Sequence, residues 1–183
     1  YPDGLEVAWF NGKIQFIKEY KKGVREGISI GYHENINIPY YKSFTKEGKK
    51  EGVAKGWFKN GKLQYVKNWS GGKLEGIQKT FFINGNRQYE KYYINGKLMS
   101  MIGWRLSGER SSTLIKAGAG TCYMYDHFNG RMHETQEYRD GVLHGLNTSY
   151  WENGDKKLRE SNFVKGEKDG LETNWFKSGK KES

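Results

Sequence analysis

Cysteine occurs once in the 183 residues, at Cys122, and proline only twice. One thiol can close no intrachain disulfide and build no thiolate metal cluster. Cys122 therefore reads as a small buried core residue. Apolar runs are only a few residues long, too short for a helix to cross a bilayer. No segment sustains the 3.6-residue hydrophobic period, so almost no helix is expected. A charged-then-apolar signal segment is lacking. Because the chain opens on Tyr1 rather than Met, removal of an upstream leader is expected. That favours a secreted or cell-surface location over a cytoplasmic one.

Low mean hydropathy, −0.92, with 28% charged residues would by itself suggest disorder. Aromatics argue the opposite: 13 Tyr, nine Phe and six Trp make 15% of the chain. Each ring can bury roughly 150–250 Å², so a polar average is compatible with a real core. The net charge is +10, from 31 basic and 21 acidic residues. Such a balance favours anionic partners, although the lysines are spread along the chain as on a solvated surface.

The 25 glycines fall into register. Units begin at Gly4, Gly27, Gly52, Gly76, Ser100, Gly120, Gly145 and Gly170, at intervals of 23, 25, 24, 24, 20, 25 and 25 residues. Apart from the Ser100 unit, the fifth residue after each unit glycine is aromatic: Trp9, Tyr32, Trp57, Phe81, Tyr125, Tyr150 and Trp175. The next position is aromatic in Phe10, Phe58, Phe82, Trp151 and Phe176. Asn-Gly follows at 11–12, 60–61, 84–85, 129–130 and 153–154, and Ser178-Gly179 in the last unit. Asn-Gly between apolar runs predicts a two-residue type I′ hairpin. A second-strand aromatic comes eight residues after the turn glycine (Tyr20, Trp69, Tyr93, Tyr138). A second, looser turn is expected at Gly23, Gly72, Gly96, Gly141 and Gly166.

Lone hairpins are marginal in water, but stacked ones share a core. The expectation is all-β: an elongated, single-domain, solenoid-like array over residues 1–183, of about seven to eight antiparallel hairpin repeats. The unit at 100–119 is degenerate, being short and without a second-strand aromatic. Residues 107–120 are expected to form a loop or bulge where the array bends or opens, exposing Arg105, Glu109 and Arg110.

Gly-x-x-x-x-aromatic-aromatic, Asn-Gly-Lys-Leu and aromatic-x-x-Gly-x-x-x-Gly, in units near 24 residues, resemble the bacterial MORN repeat variant. The resemblance covers nearly the whole chain and implies the hairpin-array fold. For function it implies scaffolding, dimerisation or membrane attachment without encoding a headgroup site. Choline-binding wall repeats also mix aromatics with Asn-Gly, but their units are shorter and begin Gly-Trp. A palette rich in Lys, Asn, Ile and Glu suggests an AT-rich bacterial source.

Chemistry is sparse. Glu26, Glu51 and Glu75 each precede a unit glycine, and repetition marks them as turn chemistry rather than catalysis. No phosphate-cradling Gly-x-x-x-x-Gly-Lys-Ser loop or His-Glu-x-x-His pair is present. Asp126, His127, His133 and Glu134 would share one hairpin, with Asp126 opposite His133. Their side chains alternate faces, so they read as solvated strand residues rather than metal ligands. No enzyme activity, metal or cofactor is expected.

A two-residue turn at Asn60-Gly61 would put Phe58 opposite Leu63, on one face with Tyr65 and Trp69, and Trp57 on the other. The invariant-aromatic position reads as core, so truncating Trp57 should cost about 3–5 kcal/mol. The expected function is a scaffold for protein–protein interaction or self-association. The alternative is peripheral binding to anionic lipid or a cell-surface polymer through basic charge and exposed aromatics. Nucleic acid is disfavoured, since no recognised binding motif appears. Candidate binding residues are Trp57, Phe58, Tyr65, Trp69, Phe82, Tyr89, Arg105, Arg110 and Trp151.

Overall fold

The computed structural model describes residues 3–152 and 154–182, which form sixteen antiparallel strands in one open sheet and no helix. Asn153, from one of the expected Asn-Gly turns, lies outside the described residues. The strands are β1 (Gly4–Phe10), β2 (Lys13–Lys21), β3 (Val24–Tyr32), β4 (Pro39–Lys46), β5 (Lys49–Trp57), β6 (Leu63–Ser70), β7 (Lys73–Leu74) and β8 (Gly76–Phe81). They continue as β9 (Arg87–Ile94), β10 (Lys97–Trp104), β11 (Arg110–Lys116), β12 (Ala119–Tyr125), β13 (Met132–Arg139), β14 (Val142–Tyr150), β15 (Lys157–Val164) and β16 (Glu167–Asn174). Each strand pairs with the next in sequence, except that β7 and β8 both pair with β6. The array is therefore an elongated meander of hairpins, as the repeat predicts.

The two turn classes exchange roles relative to expectation. The tight type I′ turns are the second ones. Lys22 and Gly23 have φ of 50° and 76°, and Glu47-Gly48, Gly71-Gly72, Asn95-Gly96, Ala117-Gly118, Asp140-Gly141 and Lys165-Gly166 repeat that signature. Of the described Asn-Gly sites in the first turns, Asn11-Gly12 alone has positive φ at both residues. At the others the asparagine acts through its side chain: Asn60, Asn84 and Asn129 Oδ1 accept the amide two residues on, at 3.0, 2.9 and 2.8 Å. Gly61 and Gly85 donate back to Phe58 and Phe82, at 2.9 and 2.8 Å. The same asparagines staple units together, Asn60 Nδ2 donating to the Ile83 carbonyl and Asn84 Nδ2 to that of Leu106, both at 3.1 Å. Lys62 Nζ, from the Asn-Gly-Lys motif, reaches the Asn84 carbonyl at 2.7 Å.

The unit glycines mark bulges. Arg25 pairs with Tyr20 and Ser29 with Lys18, so Glu26, Gly27 and Ile28 together oppose Glu19. Gly27 has φ +109°, strained for any residue with a side chain. Glu19 closes the bulge by accepting the freed Ile28 amide at 2.8 Å. The carboxylate preceding the glycine serves the next unit. Glu26, Glu51 and Glu75 accept the first amide of the following type I′ turn, from Glu47, Gly71 and Asn95, at 2.5, 2.7 and 2.7 Å.

The fifth unit departs most from expectation. Residues 110–120 are no loop: β11 and β12 run through them in the continuous ladder, joined by the Ala117-Gly118 turn, although β11 does bulge, Ser111, Ser112 and Thr113 together opposing Gly103. The unit is short because the bulges on either side of that hairpin are reduced. Only Met99 is extra between Leu98 and Ser100, and β11–β12 pair without a shift, so no unit glycine is needed at 100. Here the sheet does bend. Tyr89 Oη on β9 donates to the Tyr123 carbonyl on β12 at 2.9 Å, and Gln88 Nε2 to that of Tyr125 at 2.6 Å. The core gathers at this fold-over: Tyr89, Leu98, Met101, Ile115 and Cys122, with Tyr93, Met124 and Tyr138 packed against it. The bend thus encloses an inner face.

Candidate functional site

Residues of the second strand of each unit repeat on the inner face. Tyr41, Tyr65 and Tyr89 form one row at 24-residue spacing, and Lys67 and Lys91 another. The tyrosines lie over glycines: a Cβ on Gly56 would collide with the Tyr65 ring, and one on Gly31 with those of Tyr41 and Tyr40. The lysines lean on aromatic rings, Lys67 Nζ 4.8 Å from the Tyr65 centroid, Lys91 Nζ 5.3 Å from Tyr89 and Lys50 Nζ 4.6 Å from Trp69. Between β3 and β6 this face opens into a groove of about 550 Å³. Tyr40, Tyr41, Trp57, Tyr65 and Trp69 supply its aromatic wall, and Arg25, Lys50 and Lys67 its charge.

Electrostatics in the groove are one-sided. Among the described residues Lys50, Lys67 and Arg25 join no ion pair, and no carboxylate lines the groove. Burial pushes the Lys67 ammonium below the usual lysine range, and the Lys50 charge adds to the effect. Lys91, deeper in, is lowered chiefly by burial too. Trp69 Nε1 is buried without an acceptor.

The nominated residues divide. Trp57, Tyr65 and Trp69 come together in the groove, which places Trp57 with its two partners rather than on the opposite face. The reason is register: Trp57 pairs with Leu63 and Gly56 with Tyr65, so Phe58 falls in the turn. Phe58, Phe82 and Tyr89, at 4%, 0% and 2% exposure, lie in the interior and offer no surface. Phe58 packs edge-on to Phe128 and His127, at 5.8 and 6.2 Å. The invariant aromatic position is only half-buried at Trp57 and largely exposed at Trp9, whereas the position after it supplies the buried rings of Phe58 and Phe82. Arg105 and Arg110 are exposed at the β10–β11 turn. Trp151 lines a separate hollow of about 200 Å³ with Lys156 and Lys177, its Nε1 donating to the Trp175 carbonyl at 3.1 Å.

Asp126 does not face His133, because Tyr125 pairs with Met132 and Met124 with Glu134. Its carboxylate accepts the Phe128 and Asn129 amides, both at 2.9 Å. His127 turns inward against Phe58, and burial lowers its pKa.

The outer face carries a second surface that the sequence reading missed. Ile28 pairs directly with Phe44, and Ile77 with Tyr92; all four are exposed, as is Val53 between them. Beside this row Lys42 and Lys55 stand opposite one another across β4 and β5. They flank a hollow of about 320 Å³ lined by Ile28, Phe44 and Val53.

No protein-family model matches the chain, and no curated protein matches it.

Proposed function

We propose that the protein is a non-catalytic binding scaffold, a MORN-type hairpin array that docks a protein partner on the outer face of its sheet. The observation that carries this is the exposed row Ile28, Phe44, Val53, Ile77 and Tyr92 beside Lys42 and Lys55. Contiguous exposed apolar surface rimmed by polar groups marks interaction sites. Two lysines directly opposite one another destabilise a sheet, and a partner's carboxylate between them would relieve that cost. Self-association is less suited, since a second copy brings another +10 charge. The partner is therefore a protein segment with an apolar ridge flanked by Asp or Glu.

The repeat identity rests on the recurrence of unit glycine, paired aromatics and Asn-Gly-Lys, each with a structural task. The absence of catalysis is read from how the polar groups are used: the repeated glutamates cap turns, and Asp126 closes its own loop.

The test compares the wild-type chain with Phe44→Asp combined with Val53→Asp, both at exposed positions. A partner captured by the wild type is purified and its Kd measured against each form. At least a tenfold loss in the double variant is expected, since about 1.4 kcal/mol corresponds to tenfold. Equal affinity would refute the docking face. Equal, salt-sensitive binding of both forms to phosphatidylserine vesicles would replace it with charge-driven attachment.

A further inference from the structure

From the inner-face groove we infer a small-molecule site, one that takes a ligand joining a planar ring to a single oxyanion. At about 550 Å³ the groove lies within the range of roughly 300–1,000 Å³ usual for such sites. Tyr41, laid over Gly31, and Trp57 offer ring surface suited to stacking a planar ring, beside Tyr65, whose ring Lys67 covers.

The oxyanion half follows from the charges. Lys50 and Lys67 repel one another and, among the described residues, meet no carboxylate. Lys50 is exposed and Lys67 half-buried, each resting on an aromatic ring, and neither charge is neutralised by a counter-ion. Trp69, another lining residue, holds a buried indole N–H that donates to nothing. Two ammoniums and one neutral donor suit a carboxylate, sulfonate or phosphate oxygen.

The occupant is a compact molecule, its charged end toward Lys67 and its ring against Tyr41 and Trp57. The site is on the opposite face from the apolar row, so either can fail without the other.

Calorimetric titration of the full chain tests it with three probes: 1-naphthalenesulfonate, 1-naphthol and methanesulfonate. The expected result is one saturable site for 1-naphthalenesulfonate, about tenfold tighter than either half-molecule. Lys67→Gln should weaken it about tenfold, and Trp57→Ala several-fold, while Lys55→Gln on the outer face changes nothing. Circular dichroism confirms folding; Lys67→Gln removes a poorly solvated charge and keeps the stem, so it provides the decisive variant if Trp57→Ala fails to fold. Three results would overturn the inference. They are no saturable binding up to about 1 mM, equal affinity for 1-naphthol, and equal effects of Lys67→Gln and Lys55→Gln.

Discussion

Truncating Phe82 should cost far more than truncating Trp57, although Trp57 is the larger ring and holds the more regular sequence position. Phe82 is 0% exposed and fixed by two turn bonds: its amide donates to Asn86 at 2.9 Å and its carbonyl accepts from Gly85 at 2.8 Å. A buried ring covers roughly 150 Å² or more, and at about 25 cal/mol per Å² that amounts to ~4 kcal/mol. Phe→Ala in filled cores costs about 3–5 kcal/mol, and the two figures agree. Trp57 lines an open groove and retains water on one side, so its truncation should cost about 1–2 kcal/mol, a fraction of full burial. The assay is urea unfolding followed by far-ultraviolet circular dichroism, which does not depend on the indole being removed. Midpoints are compared at a common slope; a change of slope would itself report that the array no longer unfolds as one unit. A larger loss for Trp57→Ala than for Phe82→Ala would refute the assignment of buried and open faces.

Glu75→Gln weakens the bond that caps Asn95, 2.7 Å in the native chain, and should cost about 0.5–1.5 kcal/mol in thermal unfolding, with faster exchange of the Asn95 amide. The Cys122 thiol, pushed up to about 11 by burial from 9.0, should resist a disulfide reagent at pH 8 until the chain unfolds. A raised thiol pKa favours the folded state below the unfolded value. Stability should therefore fall between about pH 9 and 11, and a flat denaturation midpoint across that window would contradict the burial. Lys67 has the opposite sign. Its lowered pKa penalises folding at neutral pH, a penalty that relaxes as pH rises toward 10.5, so Lys67→Met should raise Tm while weakening naphthalenesulfonate binding about tenfold.

The period near 24 residues made the hairpin array legible in sequence, because each unit repeats one local solution. The turn types were not. Asn60-Gly61 carries the best-known type I′ signature, but Asn60 Oδ1 takes the Lys62 amide instead and the loop opens by a residue. Among the second, type I′ turns only Asn95-Gly96 carries asparagine, and Glu26, Glu51 and Glu75, legible as turn chemistry from their repetition, cap the turns at Glu47, Gly71 and Asn95. The fifth unit misled because missing residues read as missing structure, whereas they are bulge residues whose loss lets β11 and β12 pair without a shift. Half of the groove was visible as Trp57, Tyr65 and Trp69. Lys50, Lys67, Tyr40 and Tyr41 were overlooked because only the 24-residue spacing of Tyr41, Tyr65 and Tyr89 shows which residues share a face.

The buried core requires one unbroken sheet that folds over at the fifth unit, and amide hydrogen exchange resolved along the chain measures that directly. Arg110–Lys116 and Ala119–Tyr125 should be protected at least as well as Leu63–Ser70, with Tyr125, whose amide donates to Tyr89 Oη at 2.6 Å, among the slowest. Rapid exchange from residue 110 to 125, with protected strands on either side, would mean that the array breaks there. The core of Tyr89, Leu98, Met101, Ile115 and Cys122 would then not be assembled.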